Sequence, residues 1–213
     1  MIHHPVEQNT DNPCPCCQKT WMDLRAGKVT GSSIGKVMAN YGKAFGEPAK
    51  RLAVNIAVHE LSGQSTPNDY TNSHMERGHI EEPIARELYE ADQFVDVQPG
   101  GFFEDGWLGC SPDGLIVKEG VIEIKSVTNP PHYACIKRGS YDISYKWQLI
   151  FNLWVSKCSW IDFVSYCGTF TENRKLFVHR LNMNDVEDDV SKIKKRLFEF
   201  RSLIDEIKYN ITN

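Results

Sequence analysis

Residues 107–125 read WLGCSPDGLIVKEGVIEIK, and this stretch decides how the chain is interpreted. It contains Asp113 directly after a proline, and after nine intervening residues come Glu123, an isoleucine and Lys125. The apolar runs and the turn residues between them predict two β-strands joined by a short turn. Apolar and charged residues alternate in the second strand, so Glu123 and Lys125 are expected on one face, lining a cleft.

Two carboxylates and a lysine at this spacing point to a particular chemistry. Carboxylates a few ångströms apart repel each other unless a cation lies between them. Mg²⁺ prefers oxygen ligands and is usually held by one or two carboxylates together with substrate phosphate. The pattern therefore predicts metal-dependent cleavage of a phosphodiester. The alternative is a hairpin with an aspartate in a turn and a Glu/Lys pair on a solvated face, and the short motif alone does not decide between them.

The composition is that of an ordinary globular protein. The chain has 213 residues, of which 41% are hydrophobic and 24% are charged. We expect residues 1–18 to form an irregular tail and residues 19–213 to form a single domain. No segment is apolar enough to span a membrane, and the first residues lack a secretory pattern. These features predict an intracellular, cytoplasmic protein without a membrane partner.

The seven cysteines do not suggest a disulfide framework, because their number is odd and four of them are scattered. Cys14, Cys16 and Cys17 form a cluster near the start of the chain. A zinc knuckle is one interpretation, but the spacing is poor and no fourth ligand follows at knuckle distance. The sequence therefore favours a loose N-terminal segment over metal binding.

The charge is distributed unevenly along the chain. The formal net charge is −4, which argues against a generally basic nucleic-acid-binding surface. Residues 19–51, however, carry seven Lys and Arg side chains against two acidic ones, a local net charge of +5. A local basic surface can hold phosphate while acidic residues elsewhere lower the total. The alternative for each of these lysines is a solvated helix face.

Periodicity predicts one α/β domain with a small mixed central β-sheet, flanking helices and a long C-terminal helix. Apolar residues from Val186 to Ile207 recur at helical spacing after an acidic first turn, and we expect this helix to pack on its own sheet rather than in a coiled coil. Pro83 lies inside a predicted helix and suggests a kink or a late start. The expected helices are 21–25, one through Ile34–Met38, 49–62, 73–91 and 145–156, with a loop at 64–72 and strands within 94–125 and at 160–167 and 176–181.

The chain resembles a known family at four places in order. Asp113, Glu123 and Lys125 match the PD-(D/E)XK nuclease signature. Residues 21–32 (WMDLRAGKVTGS), 78–86 (GHIEEPIAR) and 147–155 (WQLIFNLWV) are similar to further motifs of the phage lambda exonuclease group, the YqaJ-like viral recombinases. The resemblance spans residues 21 to about 166 and implies a restriction-endonuclease-like core.

The resemblance also implies roles for individual residues. Asp113 and Glu123 would be ligands of a catalytic metal pair, helped by the Ile124 carbonyl, and Glu82 would bind the second metal. Lys125 would orient or help deprotonate the attacking water.

Four more side chains take implied roles around this centre. Gln148 would hydrogen-bond near the nucleophile or the scissile phosphate, and Tyr145 could line the same cleft. Arg25 and Ser32 would bind a terminal 5′-phosphate, a role that suits a planar guanidinium and a hydroxyl at a helix N-terminus. Each has a structural alternative: a surface amide, a core tyrosine, a salt-bridged arginine and an N-cap serine. The chain also departs from the family's Q-x-Q pattern, because Ile150 stands in place of the second glutamine.

The implied activity is that of a Mg²⁺-dependent 5′→3′ exonuclease on double-stranded DNA ends, with two Mg²⁺ per active site and Mn²⁺ as a possible substitute. It would release 5′ mononucleotides and leave 3′ single-stranded tails for recombination. By the same resemblance the chain would form a homotrimeric ring and work with a single-strand annealing protein. Two alternatives stay open: another PD-(D/E)XK nuclease, such as a structure-specific or restriction-type endonuclease, and a non-catalytic DNA-binding protein with the same fold.

Overall fold

The structure is a computed structural model that describes residues 2–8, 10–64, 73–117 and 119–213. These residues form the strands β1 (Ile2–His4), β2 (Val29–Thr30), β3 (Gln98–Pro99), β4 (Phe102–Asp105), β5 (Leu108–Cys110), β6 (Gly114–Ile116), β7 (Gly120–Ser126), β8 (Trp160–Tyr166) and β9 (Leu176–Asn182). The helices are α1 (Trp21–Arg25), α2 (Gly31–Met38), α3 (Glu47–Ser62), α4 (Ser73–Gln93), α5 (Asn129–Arg138), α6 (Lys146–Ser156) and α7 (Glu187–Thr212).

The strands form two sheets that part at the turn before Asp113. The larger sheet has the order β3-β6-β7-β8-β9, with β7 and β8 parallel and the other neighbours antiparallel. The smaller sheet has the order β1-β4-β5-β2. The predicted mixed central sheet flanked by helices is confirmed. The chain leaves β5 in the smaller sheet and enters β6 in the larger one, so Asp113 lies at the junction between them.

The central strand β7 follows the predicted alternation, but both of its faces are covered. Ile122 and Ile124 are buried on one side, as expected. Glu123, on the opposite side, is also buried, because helix α6 packs against this part of the molecule. A strand paired with β6 and β8 and covered on both faces offers its carboxylate a largely dry environment.

The C-terminal helix α7 is present as predicted, but its packing differs from the expectation. It lies mainly against helices α3, α2 and α6 instead of directly on a sheet. Its buried residues include Ile193, Leu197, Phe200 and Ile204, which join the same core as Ala53 and Ile56 of α3. The small side chains of α3 allow the two helices to approach closely, and this helix pair covers the apolar stripe of α7.

Other boundaries also agree with the expectations or refine them. Helices α1, α3 and α6 lie where the patterns placed them, and α3 ends at Gly63, whose φ of 70° suits glycine. Helix α4 continues through Pro83. The predicted loop at 64–72 falls almost entirely outside the described residues. Among the described residues, no helix combines the length and apolar composition that crossing a bilayer requires.

The N-terminal segment is more ordered than an irregular tail. Strand β1 pairs antiparallel with β4, with Ile2 opposite Glu104 and His4 opposite Phe102. Behind it, Val6 and Cys14 are buried in a small cluster with Leu24 and Phe102. The expectation of an irregular segment at 1–18 was wrong for these residues, because the edge of β4 offers backbone partners that the local sequence does not reveal. The division into a tail and one domain at residue 19 stays a prediction.

Candidate active site

Asp113 is held where the two sheets part. Its backbone N–H donates to the Ile122 carbonyl at 3.0 Å. Its carboxylate oxygen Oδ2 accepts a hydrogen bond of 2.6 Å from the backbone N–H of Ile124. The side chain is therefore fixed against β7 beside Glu123, as the sequence pattern predicts.

Glu123 is a buried carboxylate with three side-chain donors. It is 2% exposed. Lys125 Nζ lies 2.5 Å from Oε1, and Gln148 Nε2 donates to the same oxygen. The other oxygen, Oε2, accepts from Asn152 Nδ2 at 2.7 Å. Hydrogen bonds to the charged form stabilise a carboxylate that burial would otherwise disfavour.

Lys125 follows on the same strand and face as Glu123. Its ammonium lies 5.3 Å from the centre of the Tyr145 ring, in a cation–π arrangement. Burial opposes its charge, but the neighbouring Glu123 and Asp113 outweigh this effect and raise the pKa of Lys125 above its ordinary value. Tyr145 thus lies beside Lys125, and its ring packs against Phe163.

Glu82 joins the cluster from helix α4. Arg86, one turn later, donates from Nη2 to Glu82 Oε1 and to the Asp113 carbonyl, at 2.8 Å each. Arg86 thereby ties α4 to the turn that carries Asp113. Arg86 is the last residue of the motif at 78–86, and the family resemblance implied no role for this arginine.

Burial and mutual repulsion raise the pKa values of two acidic side chains, Asp113 and Glu82. Burial is the largest cause that raises the pKa of Asp113 well above its ordinary value, followed by the charges of Glu123 and Glu82. The pKa of Glu82 is also raised, chiefly by burial and, against the opposing effect of Arg86, by the charge of Glu123. The structure therefore brings Glu82, Asp113 and Glu123 within electrostatic reach of one another. Clustered carboxylates of this kind offer hard oxygen ligands, and a divalent cation would relieve their repulsion, so the donor set fits Mg²⁺.

Arg25 and Ser32 meet at the N-terminus of helix α2. Arg25 Nη2 donates to Ser32 Oγ at 2.7 Å and to Thr30 Oγ1 at 3.3 Å. The guanidinium lies 4.2 Å from the centre of the Trp21 ring. Thr30 is the N-cap of α2 and forms a capping box with Ser33.

The Arg25 guanidinium also interacts electrostatically with Glu123 of the acidic cluster. Burial lowers the pKa of Arg25 to about 10, and the charge of Glu123 opposes this shift. The group stays cationic at neutral pH. The pair formed by Arg25 and Ser32 therefore borders the carboxylates instead of lying on a separate surface.

Asn152 is a site residue that sequence reasoning missed. It lies one helical turn after Gln148 on α6, and both amides donate to Glu123. Its Oδ1 faces Gly31 so closely that a Cβ at Gly31 would lie 2.0 Å from it. The i, i+4 spacing of two amides on an otherwise apolar helix was the available signal. The Ile150 side chain, where the family pattern has a second glutamine, is buried in the core.

The structure thus brings together the predicted acidic residues, Lys125 and Gln148, with Arg25 and Ser32 alongside. Ile124, between Glu123 and Lys125 in the sequence, is buried, and its backbone N–H donates to Asp113 Oδ2. A group of carboxylates beside a lysine on the central strand of a mixed sheet is typical of the PD-(D/E)XK nuclease class.

Comparison with known proteins gives the family. The model of the YqaJ-like viral recombinase domain matches residues 20–159, and the chain belongs to this family. No curated protein matches the chain.

Three solved structures that resemble the chain have exonucleases as their subject. The alkaline exonuclease LHK-Exo from Laribacter hongkongensis is 26% identical, with a TM-score of 0.73 and coverage of 90% of this chain and 97% of that one. Its complex with dAMP gives a TM-score of 0.74 at the same identity and coverage. A phage-related exonuclease from Haemophilus somnus 129PT is 17% identical, with a TM-score of 0.65 and coverage of 89% and 99%, and shows the shared fold. The family and the likeness to LHK-Exo together show that the chain is a DNA exonuclease.

Proposed function

We propose that this protein is a Mg²⁺-dependent 5′→3′ exonuclease that acts on double-stranded DNA ends. It would release 5′ mononucleotides and leave 3′ single-stranded tails for recombination. The observation that carries the proposal is the placement of Asp113 against β7 beside Glu123 and Lys125, with Glu82 acting electrostatically on Asp113. The pair of Arg25 and Ser32, which would bind phosphate, lies alongside.

The acidic cluster supports a site for two Mg²⁺ ions, with Mn²⁺ as a substitute. Glu82, Asp113, Glu123 and the Ile124 carbonyl would hold the ions. When bound, such ions lower the pKa of a water and stabilise the charge that develops on the phosphate and the leaving oxygen. The raised pKa of Asp113 supports this assignment, because crowded carboxylates are the environment that a divalent cation stabilises.

The neighbouring side chains position the reactants. Lys125 would orient the attacking water, since its ammonium lies beside Glu123, one of the proposed metal ligands. Its raised pKa keeps it protonated, which suits a donor of hydrogen bonds. Gln148 shares Glu123 Oε1 with Lys125 and would hydrogen-bond near the nucleophile or the scissile phosphate. Both side chains come from rigid elements, the central strand and helix α6, which keeps them in place.

The pair of Arg25 and Ser32 supports action at an end instead of within a strand. A guanidinium offers a planar fork to phosphate oxygens, and the N-terminus of α2 adds a positive field. The complex of LHK-Exo with dAMP shows that relative holding a deoxynucleoside monophosphate. A terminal 5′-phosphate bound at Arg25 would place the first phosphodiester next to the acidic cluster.

The remaining parts of the proposal rest on the family resemblance. We infer a homotrimeric ring around the duplex, which would give processivity to a chain of net charge −4. The partner would be a single-strand annealing protein, and the place of action the cytoplasm.

The test is digestion of a linear duplex labelled at either end. We expect loss of the 5′ label that requires Mg²⁺ and disappears in Asp113→Ala and Lys125→Ala. The control is Asp105→Ala, because Asp105 is an exposed carboxylate of β4 outside the cluster. Normal digestion by both variants would refute the assigned site, and cutting of a closed circular plasmid would favour the restriction-type alternative. Intact DNA binding without any digestion would favour the non-catalytic one.

End recognition has its own variant pair. Arg25→Ala should weaken the preference for a 5′-phosphorylated over a 5′-hydroxyl end by about tenfold, because a hydrogen bond to a charged group contributes about 1.5–3 kcal/mol. Arg51→Ala removes an exposed charge from the same basic segment and should leave the preference intact. An unchanged preference in Arg25→Ala would exclude Arg25 from this role.

A further inference from the structure

A second group of metal-ligating side chains lies apart from the acidic cluster, at the N-terminal segment. His4 of β1 faces the turn that contains Cys14, Cys16 and Cys17, and the four ligand atoms all lie within 4.8 Å of one another. His4 Nδ1 is 3.6 Å from Cys14 Sγ, 3.1 Å from Cys16 Sγ and 3.5 Å from Cys17 Sγ. The three cysteines are free thiols.

These separations suit a tetrahedral zinc ion. With Zn–S bonds of about 2.3 Å and Zn–N bonds of about 2.0–2.1 Å, neighbouring ligand atoms lie about 3.6–3.8 Å apart. Two of the three distances from His4 Nδ1 fall within about 0.1 Å of that range. Cys14 Sγ and Cys16 Sγ are closer, at 2.8 Å, and would have to move apart by about 1 Å to share the ion.

The turn itself gathers the sulfurs. Cys14 donates its N–H to the Lys19 carbonyl at 2.7 Å, and its own carbonyl accepts from Gln18 at 2.8 Å and from Cys17 at 3.3 Å. Gln18 adopts a φ of 57°, which closes the turn. The spacing of Cys14 and Cys17 is that of a Cys-x-x-Cys ligand pair.

The histidine is oriented by a carboxylate on its other side. His4 Nε2 lies 3.2 Å from Glu104 Oε2, and Lys28 Nζ lies 3.1 Å from the other oxygen of Glu104. Histidines that bind zinc usually donate their second ring N–H to a carboxylate, which fixes the ring and the tautomer. Glu104 thus leaves Nδ1 directed at the sulfurs, and this contact is independent of the cysteine turn.

We propose that His4, Cys14, Cys16 and Cys17 bind one zinc ion in a closed structural site. Three thiolates and one imidazole select zinc over Mg²⁺, which prefers oxygen, so this ion differs from those proposed for the acidic cluster. Four protein ligands leave no open position, which is typical of structural rather than catalytic zinc.

The site would stabilise the N-terminal segment against the body of the protein. The local core is small and consists of Val6, Cys14, Leu24 and Phe102. The segment between the ligands also reaches the active site, since Gln8 Nε2 donates to the Pro112 carbonyl at 2.8 Å, directly before Asp113. Metal binding would supply folding free energy that this small core lacks.

The test is the metal content of the full-length protein, purified under reducing conditions and supplied with zinc. We expect one zinc per chain by elemental mass spectrometry. Replacement with Co²⁺ should give the thiolate charge-transfer and d–d absorption bands of a tetrahedral site. The exposed Cys16→Ser and His4→Ala should lose the stoichiometric zinc or change these bands, while Cys158→Ser, at a buried cysteine elsewhere, should keep both.

Two further measurements separate the outcomes. Asp113→Ala should retain the zinc, because the Asp113 carboxylate belongs to the acidic cluster and not to the zinc site. A chelator should lower the unfolding temperature of the wild-type chain but not that of Cys16→Ser. A reduced wild-type chain with no zinc and no cobalt–thiolate bands would overturn the proposal, as would full zinc and unchanged bands in both Cys16→Ser and His4→Ala.

Discussion

The amide of Asn152 offers the sharpest test of how the active site is built. Within the described residues, Asn152 Nδ2 is the one side-chain group that donates to Glu123 Oε2, at 2.7 Å. Glu123 is 2% exposed, so solvent has little access to replace a lost donor. Asn152→Ala would leave one oxygen of a buried carboxylate without its partner.

The expected magnitude follows from that contact. A hydrogen bond to a charged group contributes about 1.5–3 kcal/mol, and each 1.4 kcal/mol corresponds to about tenfold. Side chains that orient a metal ligand typically cost about 10–100-fold in metal affinity or activity when removed. We therefore expect Asn152→Ala to lower exonuclease activity by about 10–100-fold and to raise the Mg²⁺ concentration needed for half-maximal activity.

The assay is release of the 5′ label from a linear duplex across a Mg²⁺ titration, with unfolding temperature measured in parallel. Asn55→Ala, at an exposed asparagine of α3, is the control. Asn152 acts through Glu123, so a merely structural role would lower the unfolding temperature without moving the Mg²⁺ dependence. Unchanged activity and unchanged Mg²⁺ dependence in Asn152→Ala would refute the positioning role.

Two further predictions concern stability. Gly31→Ala should destabilise the fold by about 1–3 kcal/mol, because the new Cβ would lie 2.0 Å from Asn152 Oδ1. Gly35→Ala should stabilise α2 by about 0.5–1 kcal/mol, because its Cβ meets no atom within 4 Å. Equal unfolding temperatures of the two variants would contradict this prediction. Hydrogen bonding from Arg201 is the main cause that lowers the pKa of Glu60 from 4.5 to about 2, so the stability it contributes is present above pH 4.5 and is lost as pH falls toward 2. Denaturant unfolding of Glu60→Gln should show a weaker loss over that range, and an identical pH profile would exclude the ion pair.

Much of the active site could be predicted because its residues belong to locally patterned elements. The alternation in β7 places Glu123 and Lys125 on one face, and the structure keeps them there. Burial of Glu123 was not predictable, since the charged face was expected to line an open cleft. Its three donors come from β7 and α6, which are distant in sequence, so a search along either element alone would not find the network.

The proposed zinc site in the N-terminal segment, in contrast, could not be predicted from the sequence. Cys14, Cys16 and Cys17 are adjacent in sequence, but the ligand that completes the set precedes them by ten or more residues, at His4. A search for a knuckle looks downstream at fixed spacing and therefore fails here. His4 reaches the turn because β1 pairs with β4, a contact between residues about 100 positions apart.

The sequence by itself determined most of the elements after residue 18, the order of the family motifs and the acidic pattern around β7, because periodicity and short-range spacing act within one strand or helix. Only the tertiary structure decided that α7 packs on helices, that β5 and β6 belong to different sheets, and that Asn152 and His4 join their clusters. An apolar stripe predicts that one face of a helix will be buried, whereas the element that covers this face depends on the path of the whole chain.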